Sequence, residues 1–245
     1  MALGVFGVIV AALVVYTLAR GASGERGPAN TSAVPSTASS SPSSDAVQRP
    51  VSLWIGDSYP AGVGASSRAT AQSCLTADHM GWICNVDAQG GTGFIADGHG
   101  NSDTFAPLLK RLEATSQTYR ADIIIVDAGR NDLAQPLGRL ERAMGDYLAK
   151  LRAAYPDAEL VQIVPYFMAQ NRETLDGRLA DIIAQQMEKY DGHVIDPVAE
   201  GWISEAQTGK MTISDHLHPN QPGHRYIAQH LAADLERMRL GVATD

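Results

Sequence analysis

Four short stretches of this chain carry residues that could do chemistry together. The first is V-S-L-W-I-G-D-S, ending in Gly56, Asp57 and Ser58. The second holds Gly90, Gly91, Thr92 and Gly93. The third is Gly129, Arg130, Asn131 and Asp132. The fourth is Asp215, His216, Leu217, His218, Pro219 and Asn220. They offer a hydroxyl, backbone and side-chain amides, and an Asp/His pair. Those are the components of acyl transfer: a nucleophile, a base with its orienting carboxylate, and donors for an oxyanion.

Taken singly, each has a plainer reading. Gly, Asp and Ser are ordinary turn residues, and Asn131 could simply brace its own turn. Asp215 could cap the helix that follows. His216 and His224 compete with His218 as the base, but His218 stands in D-x-x-H spacing to Asp215 and His224 falls inside the closing helix. Asp215, His216, His218 and His224 also permit a metal site, although they lack the H-E-x-x-H pattern. The glycine block has neither G-x-G-x-x-G nor G-K-[ST], which argues against phosphate binding. Tyr166, Phe167 and Trp202 read as pocket wall or as plain core.

The elements must bring these stretches together. Apolar runs at 51–55, 82–86, 122–126, 159–164 and 193–195 read as strands. The run DIIIV is apolar enough for a strand buried on both faces. Amphipathic stretches at 69–80, 104–118, 137–154, 172–190 and 222–239 read as helices. Ala71, Leu75 and Met80 should share the inner face of the first, and Phe105, Leu108, Leu109 and Leu112 that of the second. A glycine-rich loop fills 87–103. The alternation of strand and helix predicts a parallel sheet with helices on both faces, its loops gathered at the strand C-terminal ends. On that edge the helix after Ser58 would turn its N-terminal amides toward developing negative charge.

Ser, Gly, Asn and His in this order, within G-D-S, a glycine block, G-x-N-D and D-x-x-H, resemble the SGNH (GDSL-type) hydrolases. The resemblance runs from Val51 to the last helix. It implies an α/β fold: a three-layer α/β/α flavodoxin-like domain with a five-stranded parallel sheet. It implies Ser58 as nucleophile, His218 as base, Asp215 as its orienting partner, and an oxyanion hole of Ser58, Gly91 and Asn131. Gly90 is the alternative to Gly91. No cofactor or metal is implied. Tyr59 stands where Leu is usual, a change expected to alter the pocket wall more than the chemistry. Activity should rise with pH as His218 loses its proton. The expected substrate is a small-molecule, glycan or lipid ester. Acyl transfer to a cell-envelope glycan or lipid, or a non-catalytic carbohydrate-binding domain, are the alternatives.

Composition bounds the remaining classes. The chain has 245 residues, 44 % of them apolar, and a net charge of −8. Arg20, Arg26 and Arg49 balance Glu25 and Asp45 in the first fifty residues, so the acidity lies in the rest. An acidic body without a Lys/Arg cluster does not suit nucleic acid. Residues 1–20 are almost wholly apolar and read as a signal peptide or membrane anchor. Residues 21–49 are rich in Ser, Thr, Pro, Ala and Gly and read as a disordered tether. Residues 50–241 form the expected hydrolase domain, monomeric and outside the cytoplasm. Arg20 and Arg26 follow the apolar stretch and oppose that orientation, but the tether composition outweighs them. Cys74 and Cys84 suit one disulfide in an exported chain; two buried thiols are the alternative.

Overall fold

The structure is a computed structural model and describes residues 48–98, 104–168, 177–203 and 210–241. All of these fall in one compact unit. The expected N-terminal anchor, nearly all of the tether, the end of the glycine-rich loop and the start of the helix at 172 lie outside the described residues.

Five strands form one parallel sheet: β1 (Val51–Gly56), β2 (Ile83–Ala88), β3 (Ile123–Asp127), β4 (Glu159–Ile163) and β5 (His193–Ile195). Their order is β2-β1-β3-β4-β5, and every neighbouring pair is parallel. This is the flavodoxin-like order, whose reversal between β1 and β3 opens a crevice beyond the strand ends. β3 is buried at every position, as its continuous apolar run requires. β2 lies on an edge and is only half buried.

Side chains alternate across the sheet with the two-residue period of a strand. Leu53, Ile55, Ile124 and Val126 enter one core with Leu112, Leu140, Leu148 and Ile183. Trp54, Ile123, Ile125 and Val161 enter the other with Ala77, Ile227, Leu231 and Leu235. The first face is therefore covered by α3 (Leu108–Thr118), α4 (Leu137–Ala154) and α5 (Gly177–Glu188). The second is covered by α2 (Gln72–His79) and α6 (Gln221–Met238), with the one-turn α1 (Ser58–Ala61) at the site. This is the expected three-layer arrangement.

Two helices differ from the sequence expectation. The stretch 69–80 splits into a 3-10 turn at Arg68–Thr70 and α2. Of the expected Ala71, Leu75 and Met80, Ala71 is buried just ahead of the helix, Met80 packs half-buried against the core, and Leu75 is half-buried. The buried face of α2 is Gln72, Ser73, Thr76 and Ala77. Those polar groups have partners: Ser73 Oγ donates to the Pro60 carbonyl (3.0 Å) and Gln72 Nε2 to Asp127 (3.0 Å). The stretch from 104 becomes helical only at Leu108, because Pro107 takes the N-cap position with an extended backbone, so Phe105 lies ahead of the helix and not on its inner face. Cys74 and Cys84 are joined as a disulfide that fastens α2 to the edge strand β2. Such a short loop contributes roughly 2–3 kcal/mol. Among the described residues no helix is long and apolar enough to cross a membrane.

Candidate active site

Ser58 follows directly from how β1 ends. Gly56 lies against the end of β3 so closely that a Cβ would sit 2.0 Å from the Asp127 carbonyl oxygen. Only glycine permits that approach, and it sets the sharp turn into Asp57 and Ser58. Asp57 caps the turn, its Oδ1 accepting from the Tyr59 N–H (3.0 Å). The helix that follows is a single turn, ended by Gly62 at φ +85°. A four-residue helix has little macrodipole to offer, so the expected help from a helix N-terminus is small here.

His218 comes from a hairpin-like loop. Thr212 and Pro219 pair antiparallel, and the Ile213 N–H donates to the His218 carbonyl (2.9 Å). Asn220 closes the base: its Nδ2 donates to the Lys210 and Thr212 carbonyls, and its Oδ1 caps α6 through the Gly223 N–H (3.0 Å). Asn220 thus fills the capping role considered for Asp215. Asp215 faces its own turn, Oδ1 accepting from the Leu217 N–H (2.8 Å) and the His218 N–H (3.0 Å).

The three predicted groups meet in a chain. Asp215 Oδ2 lies 2.6 Å from His218 Nδ1, and His218 Nε2 lies 2.8 Å from Ser58 Oγ. The carboxylate assigns the proton to Nδ1 and leaves the Nε2 lone pair for the serine hydroxyl. Burial pulls the Asp215 carboxyl up, but bonds from the His218 ring and from two backbone amides prevail and hold it down at about 2.

The other predicted residues gather around Ser58. Ser58, Gly90, Gly91, Asn131, Phe167 and His218 line a cavity of about 270 Å³, with Tyr59, Val63, Arg130 and Leu217 completing its wall. Asn131 Nδ2 donates to the Thr92 carbonyl (2.9 Å), which ties it to the glycine block beside Ser58. One N–H of that amide group remains after this bond. Asp132 fixes the same block from behind. Its carboxylate accepts from the Phe94 (2.8 Å), Ile95 (3.1 Å) and Ala96 (2.8 Å) amides. Gly93 is required there, since a Cβ would fall 2.2 Å from Asp132 Oδ2. Burial nevertheless raises the Asp132 pKa above the ordinary range, against those three amides.

Of the rival histidines, His216 is exposed on the turn at φ +56°. His224 is buried, with Nδ1 accepting from the Gln72 N–H (3.3 Å) and Nε2 donating to the Val63 carbonyl (3.0 Å). It is a packing residue. Among the described residues no group of three or more His, Cys, Asp or Glu is arranged to hold a metal ion. Phe167 reaches the cavity, whereas Trp202 is core, its ring 5.9 Å from that of Tyr166.

Sequence reading missed a buried ionic cluster beneath Ser58. Arg130 Nη1 donates to both Asp57 oxygens (3.2 and 3.1 Å), Nη2 to Asp127 Oδ1 (2.5 Å), and Nε to the Tyr166 carbonyl (2.8 Å). Its guanidinium lies 4.0 Å from the Tyr59 ring centroid and 4.8 Å from that of Tyr166, within cation–π range. Two carboxylates share one cation. Burial, opposed by Arg130 and reinforced by Asp57, pushes Asp127 up to about 6. Arg111 plays a similar part under the glycine block, donating to the Gly56 carbonyl (2.9 Å) and to Thr92 Oγ1 (3.4 Å). One signal was present in the sequence: an aspartate ending the otherwise apolar run IIIVD, three residues before an arginine.

A sheet with a switch-point crevice, and a Ser–His–Asp chain within it, define the architecture of an acyl hydrolase. The chain belongs to the GDSL-like lipase/acylhydrolase family, whose pattern it matches over residues 54–226. It is a hydrolase acting on esters. It is 28 % identical over 190 residues to a GDSL lipase of Mycobacterium tuberculosis, spanning 73 % of this chain and 78 % of that protein. Among solved structures, a psychrotrophic esterase from a Pseudoalteromonas species shares the fold at TM-score 0.61 and 17 % identity, over 78 % of this chain and 98 % of that one. A carbohydrate esterase family 2 enzyme with a carbohydrate binding domain, from Corynascus thermopiles (Myceliophthora fergusii), does so at TM-score 0.61 and 18 % identity, over 78 % and 66 %.

Proposed function

We propose that this chain hydrolyses a carboxylic ester or a carbohydrate O-acyl ester through an acyl-Ser58 intermediate. The observation that carries the reading is the 2.8 Å contact from Ser58 Oγ to His218 Nε2, continued at 2.6 Å from Nδ1 to Asp215. Ser58 Oγ attacks the ester carbonyl carbon while His218 Nε2 takes its proton. Asp215 holds the Nδ1 proton and stabilises the imidazolium. The negative oxygen of the tetrahedral intermediate is received by the Ser58 N–H, the Gly91 N–H and the remaining Asn131 N–H. Collapse expels the alcohol, which takes the proton from His218. Water then repeats the sequence, releases the carboxylic acid and restores Ser58.

The size of the cavity, about 270 Å³, and the apolar Val63, Phe167 and Leu217 on its wall support a short acyl group. Residues 1–20 are read as signal or anchor, 21–49 as tether and 50–241 as a monomeric catalytic domain working outside the cytoplasm. The Cys74–Cys84 bridge supports an oxidising compartment. Assay of nitrophenyl acetate, butyrate and octanoate tests the reading. The protein should turn over the shorter esters faster, and Ser58→Ala should lower kcat by about 10⁴-fold or more. Equal cleavage by Ser58→Ala would sink it. Faster ester consumption on adding a sugar alcohol, with an acylated sugar as product, would favour acyl transfer.

A further inference from the structure

We propose that the Tyr59 hydroxyl is the positioning group that holds the His218 peptide in register with Ser58. The inference rests on the assignment of Ser58 and His218 just given. These two residues are 160 positions apart, so their 2.8 Å contact depends on how the histidine loop is seated against the nucleophile turn. Tyr59 is the next residue after Ser58. Its hydroxyl donates to the Leu217 carbonyl oxygen at 2.7 Å. That carbonyl and the His218 N–H belong to one planar peptide unit. The N–H end is held by Asp215 Oδ1 at 3.0 Å. The peptide that introduces His218 is therefore gripped at both ends, by Asp215 from its own loop and by Tyr59 from the nucleophile turn.

Tyr59 can serve as a fixed reference because it is itself immobilised. It is 1 % exposed. One face of its ring lies under the Arg130 guanidinium, and its neighbour Tyr166 meets it edge-on at 5.6 Å between centroids. The hydroxyl oxygen also accepts from the Met168 N–H at 3.2 Å. Its proton must then point to Leu217, since a carbonyl can only accept. Burial raises the phenol to about 12, against the pull of Arg130, so this donor persists over the whole working pH range. A leucine at this position could fill the space but could not make the bond. The Tyr59 substitution therefore reaches the chemistry through His218, and does more than reshape the wall.

The test compares Tyr59→Phe with the unchanged protein, using a fluorophosphonate taken to completion to count active serines. Loss of the bond should lower kcat per titrated site about 10–100-fold, with KM for a short ester within about twofold, because the cavity wall is preserved. The acid limb of the kcat/KM profile should move as well. Turnover per titrated site within twofold of the unchanged protein overturns the inference. So does a loss explained wholly by fewer titratable sites, which is what a purely structural role would give. Should Tyr59→Phe not fold, Tyr59→Leu, which fills the space without the bond, takes its place, and turnover per titrated site within twofold of the unchanged protein overturns the proposal. Ser58→Ala and His218→Ala run in parallel. Activity surviving in those two refutes the assignment beneath the inference. Their inactivity beside an unaffected Tyr59→Phe refutes the inference alone.

Discussion

Asp215 and Asp57 stand at the two ends of the machinery around Ser58 and are held in opposite ways. The Asp215 side chain is 41 % exposed, and its partners are the ring and amide of His218 and the amide of Leu217, all within three residues. Asp57 is fully buried, and its cation, Arg130, is 73 positions away. An exposed carboxylate keeps most of its hydration, so local amides suffice to orient it. A buried one has lost its hydration and needs a full counter-charge with matched geometry. Asp215, open to solvent, therefore needs no counter-charge beyond its own turn. The buried cluster serves as a rigid floor, which fixes the turn that presents Ser58.

The contrast predicts that the two regions fail differently. Asp215→Asn should lower kcat by about 10⁴-fold, the scale of a triad left with the wrong imidazole tautomer. Its urea midpoint should stay close to that of the unchanged protein, since so exposed a pair adds little stability. A large shift in midpoint would erase the distinction. Arg130→Met should do the reverse and cost about 3–5 kcal/mol in urea unfolding, because two buried carboxylates lose their only shared cation in the cluster. A cost below about 1 kcal/mol would mean that solvent already reaches the cluster.

The smallest effect is one of pH. Asp127 is held up at about 6 by burial, so the folded protein keeps a proton that the unfolded chain gives up at about pH 4. Its stabilising contribution is complete below about pH 4 and lost as pH rises through about 6. Asp127→Asn should therefore gain on the unchanged protein when unfolding is compared at about pH 4.5 and about pH 7.5. Asp215, held down at about 2, runs the other way: its contribution is present above the ordinary carboxylate range and lost only as pH falls through about 2. A difference between Asp127→Asn and the unchanged protein that is independent of pH would show that folding does not raise the Asp127 carboxyl.

The same contrast explains what was legible in the chain. D-x-x-H could be read because Asp215 and His218 organise each other across one turn. The loops that hold the glycine block and Asn131 could be placed because each follows a strand recognisable from its apolar run. The face of α2 could not. Leu75 is apolar but only half-buried, while Gln72, Ser73 and Thr76 are buried, two of them bonded to Asp127 and Pro60. Periodicity reports which side chains avoid water, not which polar groups find a partner inside.

The residues alone determined the family, the α/β class and where the five strands fall, since these follow from local patterning and motif order. Tertiary structure decided the rest. It brought Asp57 to Arg130 across 73 positions and the Tyr59 hydroxyl to the Leu217 carbonyl across 158. The reason is physical. A buried charge or hydroxyl is stabilised by whatever partner the fold delivers, and a partner delivered from tens of residues away leaves no mark in the spacing along the chain.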